Sequence, residues 1–115
     1  MQLIRRDGTV VCERCVVADS PLLRMKGLLG RSELPAGEGL LLKPASSIHM
    51  WFMRFPIDAV FLDRDLTVLD VRTGLRPWRV AGRRGASMVV ELTAGEVDRR
   101  GVGVGDRLAL VEDAT

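Results

Sequence analysis

The chain has 115 residues, of which 47% are apolar and 28% charged, a balance typical of one globular domain and not of a disordered chain. Its formal net charge of +2 is too small to require a polyanionic partner, and no apolar run is long enough to span a membrane. No apolar segment follows Arg5 and Arg6, so a secretion signal is not indicated. We therefore predict a soluble, cytoplasmic single domain over residues 1–115.

The first residues predict a β-hairpin that contains both cysteines. Leu3–Arg5 and Thr9–Val17 are expected to be strands joined by a turn at Asp7-Gly8. Cys12 and Cys15 are three positions apart, which in a continuous strand points their side chains to opposite faces. A zinc site needs more ligands than this pair and the single histidine. Two reduced thiols are predicted, with no metal and no other cofactor.

One helix is expected between Ser20 and Gly30. Asp19 or Ser20 can cap it, Pro21 fits its first position, and glycine is a common helix stop. Apolar side chains recur at helical spacing and should form its packed face, namely Leu22, Met25 and Leu29.

The rest of the chain predicts short strands and one short helix. The expected strands or buried segments are Leu40–Leu42, Ile48–Met53, Ile57–Leu62, Leu66–Thr73, Met88–Leu92 and Arg107–Val111. The run from Ile57 is apolar on both faces, which indicates a central strand that forms a hairpin with the next. Thr93 and Glu96 have the spacing of a capping box, so Gly95–Arg100 should be helical.

These elements predict a mainly β fold. The expected architecture is a small β-sandwich or partly closed β-barrel with one packed α-helix and a short second helix. A parallel sheet with crossover helices would need more helices than the sequence provides.

The stretch from Ile48 to Asp58 is the most distinctive in the chain. If it is extended, His49 and Trp51 share a face. His49 titrates near neutral pH when unperturbed, and Asp58 begins an apolar strand, where an ionised carboxylate needs a partner. One interpretation is a pocket with an aromatic wall and a polar contact. The other is a packed Trp51, a hydrogen-bonded His49 and an Asp58 neutralised by an arginine.

Glu91 is the second acidic candidate. It lies between Val90 and Leu92, so its side chain should be on the opposite face of their strand. It can face solvent, act as a general base, or form an ion pair with Arg24 or Arg54 across the sheet. The ion pair is the favoured interpretation.

A basic loop over residues 72–84 has five arginines around Trp78. Arginine binds phosphate and an aromatic ring stacks on a nucleobase, which is typical of nucleic-acid binding. A solvated loop whose Trp78 packs on the sheet is the simpler interpretation, so a nucleic-acid partner is not expected.

Three segments, in order and spacing, resemble the bacterial and archaeal family called domain of unknown function 192. They are Arg24–Arg31, His49–Asp63, and Glu91–Gly95 with Gly101–Asp106. The resemblance covers about residues 10–110. It implies a small β-rich sandwich or barrel with a packed helix, and it implies no activity. The family's recurrent positions match Arg24, Gly27, Trp51, Pro56, Asp58, Asp63 and Glu91.

Three hypotheses about function follow from these residues. The leading one is a non-enzymatic module that binds a small ligand or a protein partner, as a monomer or weak dimer without membrane association. Its candidate site residues are Arg24, His49, Trp51, Asp58 and Glu91. The second is a hydrolase-like enzyme that uses His49 with Asp58 or Glu91 for acid–base catalysis. The third is a nucleic-acid-associated accessory protein that uses the loop 72–84.

Overall fold

The computed structural model describes residues 1–112. The helices and strands in chain order are β1 Gln2–Arg5, β2 Val10–Cys12, β3 Arg14–Ala18, α1 Pro21–Lys26, β4 Glu38–Leu42, β5 Ser47–His49, β6 Ile57–Leu62, β7 Val68–Leu75, β8 Val80–Gly82, β9 Met88–Thr93, α2 Glu96–Arg100 and β10 Leu108–Val111. The predicted mainly β class with two short helices is confirmed. Within this described range, no helix is long and apolar enough to cross a membrane.

The strands form one large sheet and two small ones. The large sheet has the order β3-β4-β9-β6-β7, and its only parallel pair in the described chain is β3 with β4. A second sheet has the order β10-β1-β2, and β5 pairs with β8 as a separate ribbon. The sheets do not close into a barrel, so the arrangement is that of a small β-sandwich. The predicted central strand is confirmed, because β6 lies between β9 and β7 and all its residues are buried.

The large sheet separates two apolar cores. Successive side chains of a strand point to opposite faces, so β6 and β9 contribute to both cores. On one face, Val60 and Val90 pack with the β10-β1-β2 sheet and α2. On the other, Phe61 and Val89 pack with the β5–β8 ribbon. We call these the α2 face and the ribbon face.

The helix α1 is shorter and more exposed than its sequence predicts. Its cap is confirmed, since the Ser20 side chain accepts a hydrogen bond from the Leu23 backbone N–H at 3.1 Å. Gly27 ends the helix after Lys26 with a φ of 47°, so the helix is too short to present an apolar stripe. None of its residues is buried, and the predicted packed face does not form.

The two cysteines lie in the same core, not on opposite faces as predicted. Glu13 interrupts the predicted strand between β2 and β3, and both thiols are buried on the α2 face. The interaction with the neighbouring thiol raises the pKa of Cys15 and lowers that of Cys12, and burial adds to the rise at Cys15. Gly39 lies against them, where an added Cβ would be 2.8 Å from the Cys12 Sγ. Both cysteines are free thiols.

Of the predicted strand Ile48–Met53, only Ile48 and His49 are in a strand. Strand β5 ends at His49, and the chain then turns through Phe52, which has a φ of 64°. Strand β8, in contrast, lies inside the segment predicted as a loop. It pairs with β5, so that His49 is opposite Val80.

Candidate functional site

A cavity of about 320 Å³ opens on the ribbon face, between α1 and β5. The strand β9 contributes Glu91 to its lining, and we call it the Glu91 cavity. Its polar lining comes from Arg24, Lys26, Ser46, Ser47, His49 and Glu91, and its apolar lining includes Leu28, Leu42, Ile48 and Met53. A few polar groups among apolar walls, in a cavity of this size, are typical of a small-molecule site.

Glu91 is the most unusual residue of this cavity. Its neighbours Val90 and Leu92 belong to the α2 face, so alternation points its side chain to the ribbon face. Only 5% of it is exposed, and its carboxylate has no hydrogen bond or ion pair with any residue from 1 to 112. Burial raises the pKa of Glu91 to about 7, because a charged carboxylate loses its hydration there.

Arg24 lies at the same cavity but does not pair with Glu91. Its Nη1 atom donates to the backbone oxygens of Lys43, at 3.2 Å, and Asp19, at 3.4 Å. Both acceptors are neutral carbonyls, so the guanidinium charge is oriented without being neutralised. The predicted ion pair between Glu91 and Arg24 or Arg54 is wrong, since no such pair forms within the described chain. Lys26, two residues further along α1, adds a second positive charge to the lining.

His49 lies at the cavity, whereas its neighbour Trp51 does not. The side chain of His49 is exposed, and its ring centroid is 5.1 Å from that of Trp51 in a tilted arrangement. Trp51 is about half exposed and turns outward from the end of β5. The two rings are therefore neighbours, although Trp51 lies beyond the end of β5 and not in the predicted extended strand. Trp51 forms no wall of the Glu91 cavity and does not pack in the core.

Asp58 lies on the other side of the large sheet. In β6, Ile57 and Ala59 belong to the ribbon face, so the Asp58 side chain points to the α2 face. Its Oδ2 accepts hydrogen bonds from the backbone N–H groups of Gly95 and Val97, each at 3.0 Å.

The other carboxylate oxygen of Asp58, Oδ1, accepts from the Gly74 backbone N–H at 2.9 Å. Asp58 thus caps the start of α2, and three N–H groups partner it instead of the predicted arginine. The predicted capping box does not form, because the Thr93 hydroxyl donates to the Leu34 carbonyl at 2.6 Å.

Of the five candidate site residues, the structure brings together Arg24, His49 and Glu91. Trp51 lies beside them, and Asp58 is separated from them by the large sheet. Sequence reasoning missed Lys26 and the Ser46-Ser47 pair. These side chains reach the cavity because α1 ends at Gly27 and β5 begins at Ser47. The segment Arg24–Arg31, which carries part of the family resemblance, was the available signal for Lys26.

The cavity offers a carboxyl group that can exchange a proton, and its lining also includes the hydroxyl groups of Ser46 and Ser47. A carboxyl group with a pKa of about 7 is present in both protonation states at neutral pH, so it can donate or accept a hydrogen bond. The cysteine thiols lie in the core of the opposite face. Over residues 1–112, no three or more His, Cys, Asp or Glu side chains are grouped to hold a metal ion.

Comparison with known proteins assigns this chain to a family. A model of DUF192, described as Uncharacterized ACR, matches residues 3–110. The chain belongs to this family. A UPF0127 protein from Thermococcus sibiricus is 30% identical over an alignment of 113 positions, which covers 94% of this chain and 73% of that protein. One from Pyrococcus furiosus is 42% identical over 64 residues, 55% of this chain and 54% of that protein. The predicted family is thus confirmed.

Two solved structures share the architecture. A protein of unknown function from Novosphingobium aromaticivorans superposes with a TM-score of 0.81 at 24% identity, over 95% of this chain and 82% of its own. A Sinorhizobium meliloti protein named as a candidate transcription regulator superposes with a TM-score of 0.77 at 28% identity, over 94% and 89%. The DUF192 description assigns no activity, so function has to be inferred from the site.

Proposed function

We propose that this DUF192 protein is a non-enzymatic module that binds a small polar molecule in the Glu91 cavity. The observation that carries this proposal is the buried carboxylate of Glu91, which faces the cavity without a protein partner among residues 1–112. Burying an unpartnered carboxyl group costs stability. A ligand that supplies the missing hydrogen bond would remove much of that cost, so the cavity is better suited to an occupied state.

The lining defines the chemistry of the ligand. Arg24, Lys26 and His49 favour an anionic group, and Arg24 is held in place by its two carbonyl acceptors. Glu91 favours a hydroxyl or amino group on the same molecule. The apolar lining, with Leu42 among it, suits a short carbon skeleton between the two groups. Small hydroxy acids and amino acids combine these features and fit a cavity of about 320 Å³.

A thermal-shift screen of hydroxy acids, amino acids, sugars and sugar phosphates tests this proposal. A ligand at about one hundred times its dissociation constant should stabilise the fold by about 2.7 kcal/mol. We expect a hit among the hydroxy or amino acids that is lost in Glu91→Ala and weakened at least about tenfold in Arg24→Ala, because each removes a charged hydrogen-bonding partner.

The matched control is Glu33→Ala, which changes an exposed glutamate outside the cavity and should leave binding unchanged. A hit that persists in Glu91→Ala, or a screen without hits in every class, would contradict the proposal.

An enzymatic role is the second candidate, because His49 and Glu91 line one cavity. A carboxyl group with a pKa of about 7 in the same cavity as an imidazole is a candidate pair for acid–base catalysis. The version of this hypothesis that uses Asp58 has no support, since that carboxylate faces the opposite core. Turnover of a hydrolysable ester or phosphate panel, lost in His49→Ala, would favour the enzyme over the binding module. The cytoplasmic location and the monomer or weak dimer stay predictions.

A further inference from the structure

Two segments of the chain have a net positive charge because they contain basic residues and no acidic ones. Residues 39–57 and 71–90 contain seven of the 17 lysines and arginines and none of the 15 aspartates and glutamates. The pairing of β5 with β8 joins these segments in space. The net charge of +2 therefore conceals a strongly basic region, which produces a local positive potential even though the whole molecule is nearly neutral.

Three aromatic rings project into solvent at one end of this region. Trp51 is 49% exposed, Phe52 70% and Trp78 60%, and the Phe52 and Trp78 rings are 5.0 Å apart edge to face. We call these three residues the aromatic surface. The expectation that Trp78 packs on the sheet is therefore wrong.

Two of the three rings depend on a backbone that is unfavourable for their residue type. Phe52 and Trp78 have φ values of 64° and 70°, a region that costs free energy for residues other than glycine. The backbone of Met50 holds both turns, because its oxygen accepts from the Trp78 N–H at 2.7 Å and its N–H donates to the Arg79 oxygen at 2.7 Å. The rings are thus held outward by main-chain hydrogen bonds and do not gain apolar burial in return.

Arginines lie next to the aromatic surface without acidic neutralisation. Arg72, Arg76 and Arg79 line a shallow groove along the end of β7, and Arg76 and Arg79 lie on either side of Trp78 in the sequence. Arg72 pairs with Asp70 at 3.2 Å, but Arg76 and Arg79 have no carboxylate partner in the part of the chain that the structure describes. We call the three arginines the arginine groove.

We infer that the aromatic surface and the arginine groove together bind single-stranded nucleic acid. The groove would hold consecutive phosphates, because guanidinium groups form bidentate hydrogen bonds with phosphate oxygens. The rings would stack on the bases, whose faces are accessible in a single strand and covered in a duplex. This site is separate from the Glu91 cavity, apart from the contact between His49 and Trp51, and it does not depend on a ligand there.

Intrinsic fluorescence reports directly on this site. Trp51 and Trp78 are the only two tryptophans of the chain, which has no tyrosine, so stacking of bases should quench most of its emission. We propose to titrate the protein with an oligothymidine of about 16 nucleotides, the upper end of the site size of single-strand binding folds. We expect saturable quenching at low salt and much weaker quenching by a duplex of the same length.

Two variants separate stacking from charge. Trp78→Ala should weaken binding roughly 5- to 150-fold, the range expected for loss of one stacked base. The double variant R76A/R79A should weaken binding and reduce the slope of log K against log salt by about 1.4, since each phosphate contact contributes about 0.7 for single strands. The matched control is R6A/R107A, which removes the same charge from exposed arginines that lie near Asp7 and Asp106.

Circular dichroism and thermal melting establish that each variant is folded, and Trp51→Ala is a second aromatic test if Trp78→Ala unfolds. The inference is overturned if no quenching occurs at low salt, or if the aromatic variants bind as tightly as the unmodified protein. It is also overturned if heparin or phosphatidylglycerol vesicles bind with equal affinity and the same dependence on Arg76 and Arg79. That result would identify a general polyanion surface or a membrane surface.

Discussion

The large sheet itself contributes one buried carboxylate to each of its faces, and the two differ in their hydrogen bonding. On the α2 face, Asp58 is fully buried and accepts three backbone hydrogen bonds. On the ribbon face, Glu91 is almost as deeply buried and has no partner within residues 1–112. The two residues belong to adjacent strands, since β6 pairs with β9, but alternation separates their side chains.

The two faces differ in how fully their buried carboxylates are paired and how closely their helices pack. On the α2 face, the Glu96 carboxylate accepts from Arg99 and Arg100, and the helix start is capped by Asp58. On the ribbon face, α1 buries none of its residues, and a cavity lies beneath it. Buried polar groups in folded proteins are normally hydrogen-bonded, so the lack of a partner for Glu91 among residues 1–112 supports the proposed ligand site. Asp58 is thus a structural residue, while the role of Glu91 is proposed to be binding.

Asp58→Ala should produce the largest loss of stability. It leaves three N–H groups without an acceptor, and each unsatisfied buried donor costs about 1–3 kcal/mol. We expect the free energy of unfolding to fall by about 4 kcal/mol, measured by urea denaturation. Asp58→Asn, which keeps one acceptor oxygen, should lose less.

The control for this change is Asp65→Ala, an exposed aspartate in the turn after β6, which should alter stability by less than about 0.5 kcal/mol. Equal effects of Asp58→Ala and Asp65→Ala would show that the three hydrogen bonds do not stabilise the fold.

Glu91→Gln should raise the free energy of unfolding, and the increase should depend strongly on pH. The pKa of Glu91 is raised from its ordinary value of 4.5 to about 7 in the folded protein, so folding becomes less favourable as pH rises between these values. Above pH 7 the folded wild type carries a buried charge and the glutamine variant does not. The variant should therefore be more stable there by up to about 3 kcal/mol, and the advantage should vanish near pH 4.5.

Melting temperatures measured from pH 4.5 to 9 test this prediction, with Glu33→Gln as an exposed control that should show no such trend. A stabilisation of Glu91→Gln that is constant across this range would mean that the pKa of Glu91 is not raised. Asp58 and Glu91 would then differ only in their hydrogen-bonding partners.

Much of the fold follows from local patterns in the sequence. The apolar run from Ile57 predicts the central strand, and Ser20 with Pro21 predicts the start of α1. Misplaced elements depend on interactions that no local pattern contains. Thr93 and Glu96 have the spacing of a capping box, but the true cap of α2 is Asp58, far away in sequence and close only because β6 pairs with β9.

The candidate site is only partly predictable for the same reason. Alternation places Glu91 opposite Val90, but which face holds a cavity depends on what packs there. The sequence gives no indication that α1 ends at Gly27 and leaves space above Glu91. The outward turn at Trp51 is equally hard to predict from the sequence, because it depends on hydrogen bonds between Met50 and the distant residues Trp78 and Arg79. The residue types thus identify Asp58 and Glu91 as candidates. Only the positions of their strands show that Glu91, and not Asp58, lies in the cavity with His49.

The smallest predicted effect is the difference in stability between variants of Arg99 and Arg100, which both form ion pairs with Glu96. The side chain of Arg100 is 11% exposed and also binds the Glu13 carboxylate at 2.8 Å and the Val10 carbonyl at 3.0 Å. The side chain of Arg99 is 59% exposed, and its only side-chain partner in the described structure is Glu96.

Arg100→Ala should lower the free energy of unfolding by about 2 kcal/mol, since it leaves Glu96 partly unpaired in a buried position. Arg99→Ala should cost less than about 1 kcal/mol, as exposed ion pairs do. Equal losses in urea denaturation would show that Glu96 is stabilised by the two arginines alike, and that burial at the α2 face does not strengthen its ion pairs.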